Sequence, residues 1–314
     1  MASLRLLFLS VLPATLIACG GGGDDGVDPP SGPHFTYVTD TVTVPENNTQ
    51  AREIGLDLDD NGTIDNQLGM VLGTLAGQGF KVQDTLDEAV LTGSIILLLD
   101  LQSPSFTSTT GAGLDIKLGT NPTPAACVDP ENLATCGKHL DGNGSFMVDP
   151  SSPPNAGVDG KIAGGVFSGG PGNISLQIAL GGTEPIDLDL IGARAKATTI
   201  TETGMGEVIL AGAITQSDLD TKVIPAVHAQ LAPLIDRDCG ALPRTPPDCG
   251  CGTGSTGKTI IGLFDTTPKD CTVDIAEITN NSLIKSLLAP DVQIDGVDAL
   301  SLGISVTAVK ATIQ

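Results

Sequence analysis

The sequence predicts one α+β domain, an antiparallel β-sheet with helices packed on one side and loops stapled by disulfides. Three observations lead there. Apolar residues alternate with polar ones over several runs that are joined by Gly-rich turns, the pattern of a sheet with one wet face. Other runs repeat their apolar residues at helical spacing. The cysteines gather in Pro/Gly-rich loops that have little core of their own. No internal repeat and no linker long enough to separate two domains interrupts residues 35–314.

Taken in order, residues 41–45 suit a strand that leads into a turn at Asn47 and Asn48. Residues 66–79 place Leu68, Val71, Leu72 and Leu75 on one helical stripe, and 84–91 repeat this with Leu86, Ala89 and Val90. The unbroken apolar run 94–101 has strand length and reads as a central strand buried on both faces. Residues 114–118, 174–180, 186–191, 193–200 and 207–215 read as strands. Ser217 is placed as the N-cap of a helix carrying Leu219, Val223, Val227, Leu231 and Leu234, which Pro225 and Pro233 divide or kink. Residues 239–256 read as a cross-linked loop, 260–264 as a strand and 275–289 as one helix. Residues 300–306 form a closing strand whose apolar face shifts toward Val309 and Ile313, the mark of a bulge.

The first residues set the expected address. Arg5 gives a short positive n-region, and residues 6–18 form an apolar run too short to span a bilayer but suited to a signal peptide. That run ends in Leu16-Ile17-Ala18-Cys19, which resembles a bacterial lipobox. The resemblance implies removal of residues 1–18 and lipidation of Cys19, with palmitate among the acyl chains. Several acyl chains hold a protein stably on a membrane. Gly20 rather than Asp after the Cys points, by the same resemblance, to the outer membrane. Residues 19–34, rich in Gly, Asp and Pro, read as a flexible tether.

With Cys19 set aside, Cys127, Cys136, Cys239, Cys249, Cys251 and Cys271 remain. An even number in an exported chain implies three disulfides, and six cysteines allow 15 connectivities. Local spacing favours Cys127–Cys136 and leaves the other four as a second cluster. The rival reading is a zinc site that joins Cys136 and His139 to later cysteines.

Composition excludes several functions. The chain carries 15 Lys+Arg against 37 Asp+Glu, a net charge of -22, so it cannot neutralise the phosphates of a nucleic acid. It has no Trp and one Tyr, and so lacks the stacking platforms of single-strand binders and of most sugar-processing enzymes.

The best chemical signal is residues 57–68. Asp57, Asp59 and Asn61 occupy alternate positions, Gly62 follows where a sharp turn is needed, Thr63 offers its backbone carbonyl, and Asp65 comes two residues later. This resembles the calcium loop of EF-hands, dockerins and thrombospondin type 3 repeats. Calcium takes six to eight hard oxygens, which such a loop aims at one centre. The sequence departs from the pattern at the last position, where Leu68 replaces a bidentate acid. The resemblance therefore implies one weak or structural calcium site. The stretch 141–145 shows a fainter version of the alternation and reads as a Gly-rich turn.

The order of the lipobox, the Gly tether, residues 56–69, the loop 246–251 and residues 300–303 is also similar to uncharacterised lipoproteins of myxobacterial type, a resemblance that brings no activity. Residues 252–259 match the letters of a phosphate-binding P-loop, but the expected strand after them and the lack of a buried strand before them contradict it. No nucleophile elbow surrounds Ser145, although His139 or His228 would be the base available to a hydrolase. The expectation is a lipid-anchored envelope protein without catalytic residues. An exported hydrolase and a carrier of apolar ligands are the alternatives.

Overall fold

The structure is a computed structural model that describes residues 26–77, 82–178 and 185–314. Cys19, residues 1–18 and the first part of the tether lie outside the described residues. Residues 78–79 and 179–180, expected to end a helix and a strand, lie outside them as well.

Among the described residues ten strands form one sheet. They are β1 (His34–Thr43), β2 (Leu97–Gln102), β3 (Ser108–Thr123), β4 (Gly144–Val148), β5 (Gly157–Ala163), β6 (Val166–Ile178), β7 (Ile186–Thr201), β8 (Gly204–Thr215), β9 (Val292–Ile294) and β10 (Val297–Ile313). Eight of them close on themselves. The circuit runs β1, β2, β3, β5, β6, β7, β8, β10 and back to β1, with every pair antiparallel. Closure removes the exposed edges that an open sheet would leave.

The sheet as a whole is mixed, not antiparallel as expected. β4 is antiparallel to the end of β3 but parallel to the end of β10. Those two ends run in opposite directions, so a strand lying between them can oppose only one.

The helices do not pack on one side of a sheet. α1 (Asn48–Glu53), α2 (Gln67–Gly77) and α3 (Val82–Thr92) join β1 to β2. Between β8 and β9 come α4 (Gln216–Asp218), a π-helical turn (Leu219–Val223), α5 (Ile224–Cys239), α6 (Thr256–Phe264), α7 (Ile275–Asn280) and α8 (Ser282–Leu287). In an up-and-down barrel both connections leave from the same end, so the helices gather there. The other end carries the short links β2–β3, β5–β6 and β7–β8.

Alternation along each strand now has a geometric meaning. Leu97, Leu99 and Leu101 of β2, Leu114, Ile116 and Leu118 of β3, and Leu300, Leu302 and Ile304 of β10 share the main core with Tyr37 and Phe167. Leu68, Val71 and Leu72 of α2, Leu86 and Val90 of α3, and Leu219 and Val223 close that core from the helical end. β2 is apolar on both faces because its outward Leu98 clusters with Val38 of β1 and Phe146 of β4, a second layer laid over the barrel wall. The bulge expected late in the closing strand falls where β10 shifts register between Val306 and Ala308.

A separate core lies among the later helices. Ile224, Leu231 and Ile235 of α5, Ile260 and Phe264 of α6, and Ile278 of α7 pack with Cys239, Cys249 and Cys271. Three disulfides are formed, Cys127–Cys136, Cys239–Cys251 and Cys249–Cys271. The first is the pair that local spacing favoured. With all six cysteines paired, the zinc alternative has no thiolates to use.

Several local expectations change. Residues 260–264 are helical, in α6, because the Ser255 side chain accepts from the Lys258 amide and starts a helix whose apolar stripe meets α5. The single helix expected over 275–289 is two. Asn281 takes an extended conformation and its side chain accepts from the Leu283 and Ile284 amides, so it ends α7 and begins α8. Thr215, not Ser217, caps the helix after β8, and Pro225 and Pro233 fall at the start and in the interior of α5. The tether docks earlier than expected. His34 opens β1, the Asp28 amide donates to the Thr110 carbonyl (2.8 Å), and the Thr110 hydroxyl donates to the Asp28 carboxylate (2.6 Å). β3 starts beyond the reach of β2, and Asp28 takes up a backbone carbonyl left there.

One side chain completes the barrel wall. β10 pairs with β9 through residues 297–299 and with β1 through 305–310, leaving a gap between them on that side. Asn66, buried just before α2, fills it. Its Oδ1 accepts from the Gly303 amide (2.8 Å) and the Gly69 amide (3.0 Å). Its Nδ2 donates to the carbonyls of Gly303 (3.1 Å) and Ala51 (3.0 Å). The carboxamide thus stands in for a strand residue. Glycine is required opposite it, because a Cβ at 303 would lie 2.5 Å from the Ile54 carbonyl oxygen.

Candidate cation-binding loop

The Asp-rich segment is held against the outer barrel wall by its apolar residues. Leu58 is buried with Ala211 and Ala213 of β8 and with Val292 and Ile294 of β9, and Leu56 packs alongside. The base of the loop is closed by the Asp65 amide, which donates to the Leu56 carbonyl (3.0 Å). Asp65 is only 7 % exposed, and its Oδ2 accepts from the Leu58 amide (2.7 Å).

The turn is built from Asx contacts. Asp57 accepts from the amides of Asn61 (3.1 Å) and Gly62 (2.8 Å), and Asp59 accepts from Asn61 (3.3 Å). Gly62 has φ +83°, the left-handed conformation expected at the sharp bend.

This folding brings oxygens of Asp57, Asp59 and Asp65 within 4.8 Å of one another. Oxygens on opposite sides of a calcium ion stand roughly 4.6–5.2 Å apart, so three carboxylates at this spacing suit one hard cation. Each carboxylate oxygen has a second lone pair beyond the one its amide contact uses. The Asn61 Oδ1, also expected among the ligands, accepts from the Thr63 amide (2.7 Å). Leu68, at the position of the absent bidentate acid, is in the main core.

The charges crowd. Burial pushes the Asp65 carboxyl above its ordinary value, the Leu58 amide pulls it back, and Asp59, Asp291 and Asp57 add to the rise. The influence of Asp291, 226 residues along the chain, was not legible in the sequence; its oxygens receive the amide (2.7 Å) and hydroxyl (2.5 Å) of Ser301.

The other candidates are not brought together. His228 bonds the Val273 carbonyl (2.9 Å), and Ser145 receives Gln314 (2.6 Å). Among the described residues no Ser–His pair is hydrogen-bonded. The P-loop letters have a helix after them, contrary to expectation, but no strand before them: α5 and a cross-linked loop precede. At the start of α6 the Gly257 amide donates to the Asp238 carboxylate (2.8 Å), so the chain supplies its own anion where a phosphate would sit.

His139 is fully buried beside Phe146 of β4, and neither ring nitrogen has a hydrogen-bond partner of good geometry. Burial lowers its pKa from 6.5, while the nearby Val90 carbonyl and Asp141 resist the fall. A histidine kept neutral in the fold contributes stability that is whole above its unfolded value. That stability is lost as pH falls through 6.5 toward the depressed folded value. Denaturant midpoints taken from about pH 7 to about pH 5 should fall more steeply in the wild type than in His139→Phe. Parallel curves would refute the assignment.

No family model, no curated protein and no solved structure matches this chain.

Proposed function

We propose that the protein is a lipid-anchored protein of the bacterial cell envelope. In this reading Cys19 carries the anchor, the barrel is a rigid scaffold, and Asp57, Asp59 and Asp65 hold one calcium ion. The convergence of three carboxylates on the barrel wall is the observation that carries the calcium assignment. Leu68, in the main core, brings no side-chain oxygen at the position where such loops carry a bidentate acid. The site is accordingly weak, with a dissociation constant of roughly 10⁻⁴–10⁻³ M, as in extracellular modules. Export is supported by three disulfides, which persist in oxidising compartments. The scaffold role is supported by a barrel interior occupied by Tyr37, Phe167 and rows of leucine and isoleucine.

Calorimetry on the full chain should show saturable calcium heat that Asp57→Ala with Asp59→Ala abolishes. Absence of heat in the wild type would end the calcium assignment. Labelled palmitate should be incorporated into the wild type and not into Cys19→Ser, and equal labelling of both would end the anchor.

A further inference from the structure

Residues 28–33 are docked on the barrel. Asp28 is bonded to Thr110 through its amide (2.8 Å) and its carboxylate (2.6 Å). The Gln102 Nε2 donates to the Gly32 carbonyl (3.3 Å), and the Ser103 amide donates to the Pro33 carbonyl (3.1 Å). Beneath this segment β3 carries Gly111 and Gly113, both buried. A Cβ at 111 would lie 2.6 Å from the Pro29 carbonyl oxygen, and one at 113 would lie 2.7 Å from Pro30 Cγ. The strand thus leaves a flat track for the tether. These contacts all fall at the end of the barrel that carries the short links, where Ser108 pairs with Ala163 beside the β5–β6 turn.

The docking sets the reach of the anchor. Residues 19–27 link Cys19 to Asp28 and cover at most about 30 Å when fully extended, whereas residues 19–33 would cover about 50 Å. The far side of the helices lies beyond the shorter reach. A 12-residue strand such as β8, tilted as in a barrel, rises about 30 Å, and a layer of helices adds about 10 Å. With residues 28–33 docked, the helical end cannot be turned toward a membrane that holds Cys19.

Charge divides along the same axis. The connections at the helical end, residues 44–96 and 216–291, carry 19 Asp+Glu against 8 Lys+Arg. The stretches 101–112, 160–169, 196–206 and 305–314, which build the opposite end, carry Lys161, Lys196 and Lys310 against Glu202 alone. Lys161 of β5 and Lys196 of β7 flank the same residue, Ser168 of β6, and the Lys310 amide donates to the Thr203 carbonyl (2.9 Å) in the β7–β8 link. All three lysines are exposed, and none forms an ion pair among the described residues. An anionic lipid surface attracts this end and repels the other. We propose that residues 28–33 are a strap that holds the short-link end of the barrel, with its three lysines, against the anionic face of a lipid bilayer. The helical core is then turned away from the lipid. The inference rests on Cys19 as the anchor and deepens that reading by assigning the surface that meets the membrane.

The test measures acetylation of each lysine by mass spectrometry, on the full chain bound to vesicles of phosphatidylethanolamine and phosphatidylglycerol. The Cys19→Ser chain, free in solution, gives each lysine its reference rate. Relative to that rate, Lys161, Lys196 and Lys310 should react about five-fold more slowly on the vesicles, the preference that one lysine at an anionic surface gives an orientation. The exposed Lys258, Lys269 and Lys285 of the helical end should keep their reference rates. About ten Gly/Ser residues inserted between Gly26 and Val27 add about 30 Å of reach without altering the barrel. In roughly 1 M KCl, which screens charge beyond about 3 Å, the insertion should bring both sets of lysines to one relative rate, while the wild type keeps the difference. The palmitate label judges the anchor separately. If that label is absent, the Cys19 thiol, the one cysteine outside the three disulfides, is coupled to a maleimide phospholipid in the same vesicles and the footprint is read again. A failed anchor therefore leaves this result readable. Equal relative rates at the two ends of the wild type, protection of Lys258, Lys269 and Lys285 instead, or a difference that the insertion leaves unmoved in high salt would overturn the proposal.

Discussion

Asn66→Ala is expected to lower the stability of the barrel by about 3 kcal/mol or more. The basis is that all four hydrogen-bonding positions of this buried carboxamide are in use. Truncation leaves the Gly303 amide and carbonyl facing an empty gap, with the Gly69 amide and Ala51 carbonyl also unpaired. Each orphaned group in a buried site costs about 1–3 kcal/mol unless water reaches it. Asn66→Asp separates the causes. It keeps an acceptor for the two amides but cannot donate to the two carbonyls, and it adds a negative charge close to the already crowded Asp65. Both variants should show a lower denaturant midpoint with an unchanged slope. A loss under about 1 kcal/mol in Asn66→Ala would mean that water replaces the side chain and that β10 does not depend on it.

The second large effect concerns the disulfides of the helical region. Cys239–Cys251 and Cys249–Cys271 close loops of 12 and 22 residues around the separate core of α5, α6 and α7. On loop-closure entropy each contributes about 3 kcal/mol. That core is small, and residues 240–255 between its helices are a loop rich in Gly and Pro. The double variant Cys249→Ala with Cys271→Ala should therefore open this region while the barrel remains closed. Limited proteolysis should cut first within 239–271, and the helical part of the circular dichroism should melt before the strand part. Joint loss of both signals in one transition would show that the barrel and the helical core are a single cooperative unit.

Much of the fold is legible in the sequence because strands and helices announce themselves locally. The alternation at 114–118 and 186–191 reports which residues face the barrel interior, whatever the strand's neighbour. The run 94–101 reports burial on both faces, and the layer formed by β4 over β2 explains it. Residues 260–264 misled because five apolar residues suit a strand or a helix equally well. The Ser255 cap and the apolar surface of α5 decide between them.

The candidate site divides in the same way. Gly62 and the alternating acids at 57, 59 and 65 follow from turn chemistry within a dozen residues. Asp291, just before β9, and Arg194 of β7 come to the same loop from far along the chain, and no spacing rule could place them there.

By itself the sequence determined the strand-and-helix inventory in outline, the Asp-rich turn and the Cys127–Cys136 pair. All of these depend on interactions between residues close in the chain. Closure of the barrel, the parallel placement of β4, the pairing of the other four cysteines and the role of Asn66 were decided only by the tertiary structure. A strand's own pattern says which face is buried but not which strand lies beside it. That choice is made by backbone hydrogen bonds between residues as much as 273 positions apart, such as those that join β1 to β10.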